Sequence, residues 1–527
     1  MPQRARPWIG LVLAITLAGT ASIALRQDSN WDLQNYHLYN VWAFVHHRFG
    51  IDWAPAQLQS FYSPFLDLPF HGMLAADAPP RLIAFLLAIP TGIAWFFFAR
   101  IVVHLFAGLE VGIRVPAIVA TITIGVTAPM SVSLIGTTMN DWYVAAFVMS
   151  AVWLLVRVPG GERPSAGALL AAGALVGAGA GLKLTGSIYC VGLIGGLLAA
   201  GASWPRRARA ALIAGGAIVA AFAVTGGPWL WLMFDRYGNP LFPYFNDVFR
   251  SPWADPVNFS ATRFGPTSAP EWLAFPFILL WKLEGFVAEP EFRDARPALL
   301  YVLAIVSVAV ALGRRFVQHP FAQHLPRAQP ASGAPAAWRF IGGFFVGSFL
   351  AWAFLYRIFR YLVPLEMLAA MLLVFLLVRL IPRKRITLAL AAAVLFVIVT
   401  SKFPTWWRQP FQDHFLTVEM PAVMPDALVL LVSAEPMSYV LPSFPADARF
   451  AGLVSNFNDP DRKNRLQQTI AALIRDHRGP LYALAVPPGR EVGGDALAKM
   501  GLARTSCEAI RTNLRVSPLE LCALRRL

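Results

Sequence analysis

The sequence predicts an all-α, multi-pass membrane protein that ends in a small α/β domain. Of its 527 residues, 57% are hydrophobic and only 14% are charged, and the mean hydropathy is +0.56. Apolar runs of about 16 to 21 residues, the length that spans the hydrocarbon of a bilayer, recur until about residue 401. After that point the pattern changes to shorter strand-like and helical stretches. A water-soluble globule of this length would need far more charged surface, so lipid is the predicted solvent.

The formal net charge of +15 comes from Lys and Arg residues in short clusters between the apolar runs. Scattered clusters of this kind set membrane orientation, and they do not form the continuous basic face that binds nucleic acid. We therefore expect no nucleic-acid partner. Three cysteines, none in C-x-x-C spacing, exclude a disulfide scaffold and a thiolate zinc site, so a metal would need oxygen ligands.

The apolar runs predict about eleven transmembrane helices, with boundaries uncertain by several residues. They cover residues 8–25, 82–99, 116–135, 142–158, 166–181, 185–201, 209–228, 297–313, 339–356, 361–379 and 386–401. The first run follows Arg4 and Arg6, as in a signal peptide, but no small-residue cleavage site follows it, so we expect a retained helix. The runs at 61–76 and 272–288 contain Pro or charge and are predicted to be juxtamembrane helices.

Orientation follows from the basic clusters, which all fall inside if the N-terminus is cytoplasmic. The clusters are Arg100 with Arg114, Arg157 with Arg163, Arg206-Arg207-Arg209, Arg314-Arg315 with Arg327, and Arg383-Lys384-Arg385. The same orientation sends loops 26–81 and 229–296 to the outer side. The prediction is a transmembrane domain over residues 1–401, followed by an extracytoplasmic α/β domain over residues 402–527.

The tail contains strand-like runs at 427–433 and 481–486, with a helical stretch at about 464–476 between them. Cys507 and Cys522 both lie in the tail, where an oxidising outer face would allow a disulfide between them. Cys190 is predicted to be a buried, structural cysteine. We expect the tail to pack against the outer loops, with acceptor binding as the alternative role.

The densest polar segment at the predicted outer boundary is 27–37, directly after the first span. Asp32 is positioned to cap a short interfacial helix. Helical spacing then puts Tyr36 one turn from Asp32 and His37 beside it, so that a carboxylate, a phenol and an imidazole line one pocket. The alternative is a structural role, with Asp32 as a cap and Trp31 and Tyr36 as interfacial anchors.

Other charged residues lie near the same predicted boundary. Asp141 falls in a very short outer loop, where a carboxylate is costly unless it is functional or caps the next helix. Lys183 lies between two Gly- and Ala-rich spans, and it either extends to the interface or supplies a cation for a lipid phosphate. Arg357 and Arg360 lie outside, against the usual bias of basic residues, which favours a phosphate-binding role for them too.

Several segments together resemble the GT-C glycosyltransferases, membrane enzymes that use polyprenyl-phosphate sugars. The matching segments are 31–38 (WDLQNYHL), 62–66 (YSPFL), Asn140-Asp141, 181–186 (GLKLTG), 238–243 (GNPLFP) and 360–364 (RYLVP). The similarity is to the group of bacterial glycosyltransferase 39, aminoarabinose transferase and protein O-mannosyltransferase enzymes, and it covers residues 1 to about 400. Here Leu33 follows Asp32, where many relatives have a second acidic residue.

The resemblance implies a glycosyltransferase of the inner (plasma) membrane that acts on the periplasmic face with inversion. It implies Asp32 and Asp141 as catalytic residues, with Asp32 deprotonating or orienting the acceptor. The implied substrate-binding residues are Tyr36, His37, Lys183, Arg357, Arg360 and Asn239. The implied partners are a polyprenyl-phosphate sugar, a glycan, lipid or protein acceptor, and the bilayer, with the prenyl chain among the Gly- and Ala-rich spans. No cofactor is certain, and a divalent cation is left open.

Other functions remain open. A transporter or flippase of lipid-linked sugars would need similar outer loops and cations, but its inner side should carry a loading site. The inner loops here are short and basic and carry no nucleotide-binding motif, which favours an enzyme. A glycan polymerase or ligase is the next alternative, and a non-catalytic scaffold is the last. A scaffold should tolerate Asp32→Asn, whereas an enzyme should not.

Overall fold

The computed structural model describes residues 7–158, 164–200, 203–260, 264–281, 285–316, 335–487 and 490–527. In chain order the helices before residue 401 are α1 (Pro7–Ala24), α2 (Leu38–Val45), α3 (Leu68–Ala75), α4 (Pro80–Leu87), α5 (Ile89–Leu105), α6 (Val111–Val126), α7 (Pro129–Ser133), α8 (Asp141–Val156), α9 (Ala166–Leu182), α10 (Ser187–Ala200), α11 (Trp204–Thr225), α12 (Gly227–Tyr237), α13 (Asn246–Phe249), α14 (Ala269–Ile278), α15 (Arg296–Phe316), α16 (Pro335–Leu355), α17 (Val363–Leu380) and α18 (Arg383–Thr400). Single helical turns lie at Leu33–His37, Gln57–Phe61, Phe65–Asp67, Leu184–Gly186 and Phe359–Leu362.

Six helices of the described chain are long and apolar enough to cross a membrane: Pro7–Ala24, Pro80–Leu105, Trp204–Thr225, Arg296–Gly313, Pro335–Leu355 and Phe359–Leu380. Shorter apolar helices lie among them. Their outward faces are apolar, since Leu212, Val219 and Val224 of α11 expose 68 to 76% of their area. Surfaces of this kind need lipid as solvent. The predicted multi-pass helical architecture is confirmed, whereas the count of eleven spans stays a prediction.

The predicted third span, residues 116–135, is wrong at both ends. Helix α6 starts earlier and ends at Val126, and a separate short helix, α7, starts at Pro129. Proline disfavours helical backbone at the residue before it, so Ala128 is extended and the chain turns there. The second span, predicted as 82–99, is longer than expected because α4 and α5 follow each other through Ala88.

The Gly- and Ala-rich helices α9 and α10 use their glycines to pack against neighbouring helices. A Cβ atom on Gly173 of α9 would lie 2.3 Å from the carbonyl oxygen of Ala214 on α11. A Cβ atom on Gly192 of α10 would collide with Ser348 of α16. Small residues of this kind let membrane helices approach closely. The space beside Gly173 and Gly192 is therefore filled by protein, and the expectation that a prenyl chain lies among these spans stays a prediction.

The helical bundle has a basic end and an opposite end where the polar loops gather. At the basic end Arg383, the first residue of α18, pairs with Glu110 before α6 at 2.8 Å. Arg339, near the start of α16, donates to the last carbonyl group of α10. The loops after α1 and α11 and the tail after α18 leave from the opposite end. Arg163 and Arg327 of the predicted clusters lie outside the described residues.

The tail forms a six-stranded mixed sheet. Its elements are β1 (Val418–Glu419), β2 (Leu428–Val432), a helical turn at Ser438–Ser443, β3 (Arg449–Val454), α19 (Arg465–Asp476), β4 (Leu481–Ala485), α20 (Arg490–Lys499), β5 (Leu502–Thr512) and β6 (Leu519–Arg526). The strand order is β1-β5-β6-β4-β2-β3, with β2 parallel to β3 and β4 and the other pairs antiparallel. The predicted strands and helix correspond to β2, β4 and α19, so the α/β character of the tail is confirmed.

A disulfide joins Cys507 of β5 to Cys522 of β6, and the two residues are register partners in the antiparallel pair. The disulfide that the sequence allowed is therefore present in the structure. Cys190, on α10, is a free and partly buried thiol that packs against the apolar core of the bundle. The structure thus supports its predicted role as a packing residue.

The sheet is docked onto the loop over residues 26–81, which the sequence predicts to be the first outer loop. Trp53 extends the edge of β3, because its amide donates to the Phe450 carbonyl group and its own carbonyl accepts from the Gly452 amide, each at 2.8 Å. Asp52 accepts from Arg48 at 2.7 Å and from the Phe450 amide at 3.0 Å. Arg48 also donates to carbonyl groups of the tail. The expected packing of the tail against the outer loops is confirmed.

A second contact reaches the polar segment after α1. The carbonyl oxygen of Leu514, in the turn between β5 and β6, accepts hydrogen bonds from the Ser29 hydroxyl group and from Gln34 Nε2. Gln27 donates from Nε2 to the Phe415 carbonyl group at 2.7 Å. The tail therefore supports the segment that carries the first predicted site residues.

Candidate active site

The polar segment after α1 is organised by its own side chains. Asp28 accepts a hydrogen bond from Asn30 Nδ2 at 2.7 Å. Asn30 Oδ1 in turn accepts from the Leu33 amide at 2.8 Å, where the next helical turn begins. Asp32 makes no capping hydrogen bond, so the prediction that it caps this turn is wrong. Because Asn30 supplies the bond instead, the Asp32 carboxylate is left for other contacts.

The turn Leu33–His37 is π-helical, an uncommon form that is frequent at functional sites. Hydrogen bonds in a π-helix join residues five apart, which brings His37 onto the face of Asp32. The Tyr36 ring lies 4.1 Å from the His37 ring, centroid to centroid, and the Tyr36 hydroxyl donates to Asp32 at 3.4 Å. The three side chains that were predicted to share a pocket are therefore neighbours.

Asp32 is paired with Arg360, from the turn before α17. Arg360 Nη1 donates to Asp32 Oδ2 at 2.6 Å, and the two side chains are only 12% and 11% exposed. Burial alone would raise the pKa of Asp32, but nearby positive charge, that of Arg360 first, outweighs burial and lowers that pKa. Asp32 is therefore a charged carboxylate and a weak base at neutral pH. Within the described chain, Arg360 Nε is buried without a hydrogen-bond partner.

A second ion pair joins Asp141, the first residue of α8, to Lys183, which directly follows α9. Lys183 Nζ donates to Asp141 Oδ1 at 2.6 Å and also to the carbonyl oxygen of Met139. The other carboxylate oxygen of Asp141 is buried and has no partner among the described residues. The alternative reading of Asp141 as a helix cap is therefore wrong, and Lys183 is held inside the site by its partner.

The ring of Tyr361 lies beside both cations. Lys183 Nζ is 5.6 Å from the ring centre, and Arg360 Cζ is 5.3 Å from it. Cations at these distances are attracted by the ring face. The Tyr361 carbonyl oxygen accepts from the Tyr189 hydroxyl group at 2.5 Å, which anchors this turn to α10. Two buried cations and their two carboxylates therefore converge at the end of the bundle that the loops cover.

His37 is bound by a carboxylate that the sequence patterns did not single out. His37 Nδ1 lies 2.8 Å from Asp67 Oδ2, and Asp67 Oδ1 accepts from Asn140 Nδ2 at 2.7 Å. All three side chains are buried. Asp67 ends the turn Phe65–Asp67, inside the run 61–76, and an acidic residue within that apolar stretch was the available signal. The structure therefore adds Asp67 to the candidate site.

Tyr62 and Tyr244 close one wall of the site. Their hydroxyl groups are in direct contact, and the Tyr62 ring packs edge-on against Tyr36 with 5.3 Å between centroids. Burial raises the pKa of Tyr244 to about 12 and the pKa of Tyr62 well above its usual value, so both stay protonated. The first and second outer loops, which carry these residues, meet at this wall.

Two predicted binding residues lie apart from the ion pairs. Arg357 donates to the Pro266 carbonyl group at 3.4 Å and lies over the Trp272 ring at 5.8 Å. Asn239 is fully buried and donates to the Tyr244 carbonyl group at 2.9 Å. Arg357 therefore fastens the second outer loop to the end of α16, and Asn239 shapes the turn that presents Tyr244. The predicted direct contact of these two residues with a substrate has no support in this geometry.

No protein-family model matches the chain, and no curated protein matches it in sequence. Among solved structures, ArnT from Cupriavidus metallidurans bound to undecaprenyl phosphate aligns over 98% of both chains, with a TM-score of 0.51 and 14% sequence identity. The chain has the fold of ArnT. ArnT in the apo state aligns over 98% of this chain and 97% of its own, with a TM-score of 0.44 and 14% identity, and this weaker match adds no argument.

The likeness to ArnT agrees, in architecture alone, with the resemblance drawn from the sequence segments. Because the alignment covers nearly the whole chain, the shared ArnT fold includes both the helical bundle and the C-terminal sheet. At 14% identity the likeness to ArnT extends to the fold alone. Any role for Asp32, Asp141, Lys183 or Arg360 must therefore be argued from the geometry described above.

Proposed function

We propose that the protein is a membrane glycosyltransferase that transfers a hexose or pentose from a polyprenyl-phosphate donor to an acceptor on the outer face of the membrane. The observation that carries this proposal is the pair of largely buried cations, Lys183 and Arg360, which both contact the Tyr361 ring. ArnT, whose fold the chain shares, was crystallised with undecaprenyl phosphate, the class of lipid that two such cations suit.

Lys183 and Arg360 are suited to a lipid phosphate at the membrane boundary. Lys183 directly follows α9 and Arg360 directly precedes α17, so both lie where an apolar helix meets the polar loops. Ammonium and guanidinium groups form strong, charge-assisted hydrogen bonds with phosphate oxygens. The unpartnered Nε of Arg360 is a donor, within the described residues, that a ligand would satisfy.

In the proposed reaction, an acceptor hydroxyl group attacks the anomeric carbon of the sugar while the bond to the lipid phosphate breaks. The new bond forms on the face opposite the leaving group, so the configuration inverts. The phosphate leaves with the bonding electrons, and Lys183 and Arg360 stabilise the charge that it gains. A phosphate that bonds to the remaining N–H groups of the two cations leaves Asp32 and Asp141 in their ion pairs, and the second oxygen of each carboxylate can then accept hydrogen bonds from sugar and acceptor hydroxyl groups.

Of the two roles that the resemblance implied for Asp32, the contacts support orientation over deprotonation. Its lowered pKa makes it a poor proton acceptor near neutral pH. Tyr36 donates to the same carboxylate oxygen as Arg360, so Asp32 stays fixed in position. We therefore assign Asp32 to holding the acceptor and Asp141, beside Lys183, to holding the donor.

We place this chemistry on the periplasmic side of the inner membrane, with the N-terminus in the cytoplasm. The basic clusters lie at the end of the bundle away from the site, and basic loops stay on the cytoplasmic side during insertion. The tail leaves from the same end as the site, so it would also be periplasmic. The Cys507–Cys522 disulfide is suited to that oxidising compartment.

A divalent cation finds no ready-made site in the described residues. No group of three or more His, Cys, Asp or Glu side chains is arranged there to hold a metal ion. Asp32 and Asp141 each already contact a cationic side chain. We therefore assign charge stabilisation to Lys183 and Arg360 and derive no step through a metal.

The proposal can be tested with the full chain in proteoliposomes. The measurement is release of free polyprenyl phosphate from a panel of polyprenyl-phosphate hexoses and pentoses, offered with glycan, lipid and peptide acceptors. The wild type should release it from at least one donor. Arg360→Gln should lower the rate by about 100-fold or more, the usual loss for a group that stabilises transition-state charge. Arg383→Gln is the matched control, because Arg383 pairs with Glu110 in an exposed contact at the other end.

Other outcomes would contradict the proposal. A wild type that releases nothing from any donor would refute it. Movement of the intact lipid-linked sugar between leaflets without release would indicate a flippase. A product in which several donor sugars are joined would indicate a polymerase or ligase.

A further inference from the structure

His37 and Asp67 form a buried pair that the proposed reaction has not yet used. Each residue is 3% exposed. His37 Nδ1 lies 2.8 Å from Asp67 Oδ2, so in the neutral form of the ring Nδ1 donates to Asp67 and the lone pair is on Nε2. That Nε2 atom is buried and has no hydrogen-bond partner in the described part of the chain. A buried, unpartnered acceptor is costly, and a reactant that bonds to it would explain why it is kept.

The ring of His37 is held in one orientation. Asp67 fixes its Nδ1 side, and the Tyr36 ring packs against its face at 4.1 Å. Asp67 is itself held by Asn140, which donates to its second oxygen at 2.7 Å. Asn140 has a φ of 64°, in the left-handed region that Asn tolerates better than most residues. Elements on both sides of the site thus fix which way Nε2 points, away from Asp67.

His37 also lies within the site of the proposed reaction. The π-helical turn puts it on the face of Asp32, and Tyr36 contacts both residues. The ionisable groups around His37 are Asp67, Asp32 and Tyr36, with Arg360 bound to Asp32. Tyr143, on α8, adds a phenol close to Asp67. The charged groups of this set are two carboxylates and one guanidinium, so the charge that His37 faces within the set is net negative.

We infer that His37, positioned by Asp67, is the base that takes the proton from the acceptor hydroxyl group, an inference that rests on the proposed glycosyl transfer. The acceptor O–H bond breaks as its oxygen bonds to the anomeric carbon, and the proton goes to His37 Nε2. The electron pair of the old bond leaves with the lipid phosphate. The imidazolium that forms is stabilised by the adjacent Asp67 carboxylate, in the way that a carboxylate supports a histidine base in other enzymes.

The test compares a hydroxyl acceptor with azide, an anion that has no proton to lose. With hydroxyl acceptors, His37→Ala should release polyprenyl phosphate about 100- to 10,000-fold more slowly than the wild type, the usual contribution of a general base. Added azide should restore release in His37→Ala by at least about tenfold and yield the glycosyl azide, because the missing base is then not needed. His46→Gln is the matched control, since His46 is an exposed histidine bound to Trp42.

His37→Gln keeps the size of the side chain and covers the case in which His37→Ala does not fold. It should lower kcat and leave the KM for the donor within about threefold, because the base acts on the proton and not on the phosphate. Asp67→Asn should also lower kcat, by about tenfold or more. Thermal unfolding and binding of free undecaprenyl phosphate check that each variant is intact.

Three results would overturn the inference. The first is wild-type release by either His37 variant while the wild type itself is active. The second is a folded His37→Ala protein that azide does not restore. The third is a His37→Gln protein whose loss lies in the KM for the donor. A wild type without any release would refute the proposed transfer and the inference together, which separates that failure from the other three.

Discussion

Asp32 and Arg360 are 328 residues apart in the sequence, yet a 2.6 Å hydrogen bond joins them at the centre of the candidate site. One belongs to the turn after the first helix, and the other belongs to the turn before α17. Because both side chains are almost excluded from solvent, each charge depends on the other for its neutralisation. The ion pair can therefore form only when the helices that carry its two residues are correctly packed.

Removal of one member of this pair should destabilise the protein more than removal of both. Asp32→Asn leaves the Arg360 guanidinium buried and unpaired, which typically costs about 3 to 5 kcal/mol. The double variant Asp32→Asn/Arg360→Gln should recover part of that loss of stability. Sugar transfer should fall by about 100-fold or more in both variants, because the proposal assigns each group to the substrate. Thermal unfolding in detergent measures the stabilities of the double variant and of its two single variants. If the loss of stability in the double variant equals the sum of the losses in Asp32→Asn and Arg360→Gln, the two residues are not coupled.

Lys183 should account for a large share of the affinity for lipid phosphate, and Arg357 for very little. Lys183→Met should weaken binding of free undecaprenyl phosphate by about 10- to 150-fold, which corresponds to a hydrogen bond with a charged group. Arg357→Gln should change the Kd by less than about threefold, because its guanidinium already contacts Pro266 and Trp272. Titration calorimetry at fixed salt compares the two. Equal losses of affinity in the two variants would mean that Arg357 also binds the lipid phosphate.

The disulfide should stabilise the tail without taking part in transfer. It closes a loop with a sequence separation of 15, for which loss of the bond costs about 3 kcal/mol. The double variant Cys507→Ser/Cys522→Ser should therefore unfold at a lower temperature and still transfer sugar below that temperature. Reductant should lower the melting temperature of the wild type and of Cys190→Ser, and it should not affect the double variant. A reductant effect on the double variant would contradict this assignment.

The ion pair between Arg48 and Asp52 should control how the tail sits on the first outer loop. Asp52→Asn leaves Arg48 buried without its charge partner and weakens the contact with the Phe450 amide. We expect faster proteolysis between α18 and β1, together with slower transfer, because the supported segment carries Asp32. Lys499→Gln is the control, since Lys499 makes only an exposed pair with Asp461 inside the tail. A rate of proteolysis in Asp52→Asn equal to that of the wild type would contradict the prediction.

The fold was predictable wherever lipid imposes a simple pattern, since an apolar run near span length has few alternatives to a helix. The prediction failed where the apolar pattern continues past a backbone break, as it does around Pro129. In the tail, β2 and β4 are buried apolar runs, but residues 505–509 of β5 are all exposed. A strand that turns no apolar face to a core leaves no period-two pattern to read.

The candidate site was predictable in its residue types and not in its pairings. Asp32, Asp141, Lys183 and Arg360 stand out because charge at a membrane boundary is costly. Nothing local indicates which carboxylate meets which cation, because each partner arrives from a distant helix. Arg357 shows the limit of such reasoning. It lies only three residues before Arg360, but its backbone has a positive φ of 59° and its side chain contacts Pro266 and Trp272 instead of Asp32.

The hydrogen bonds that Leu514 accepts from Ser29 and Gln34 have a consequence for biosynthesis. Leu514 is the 485th residue after Ser29, so a ribosome delivers it long after the first helix. The segment beside Asp32 therefore lacks its last partners while the chain is nascent, and a prematurely terminated product would carry the candidate site without the contacts that support it.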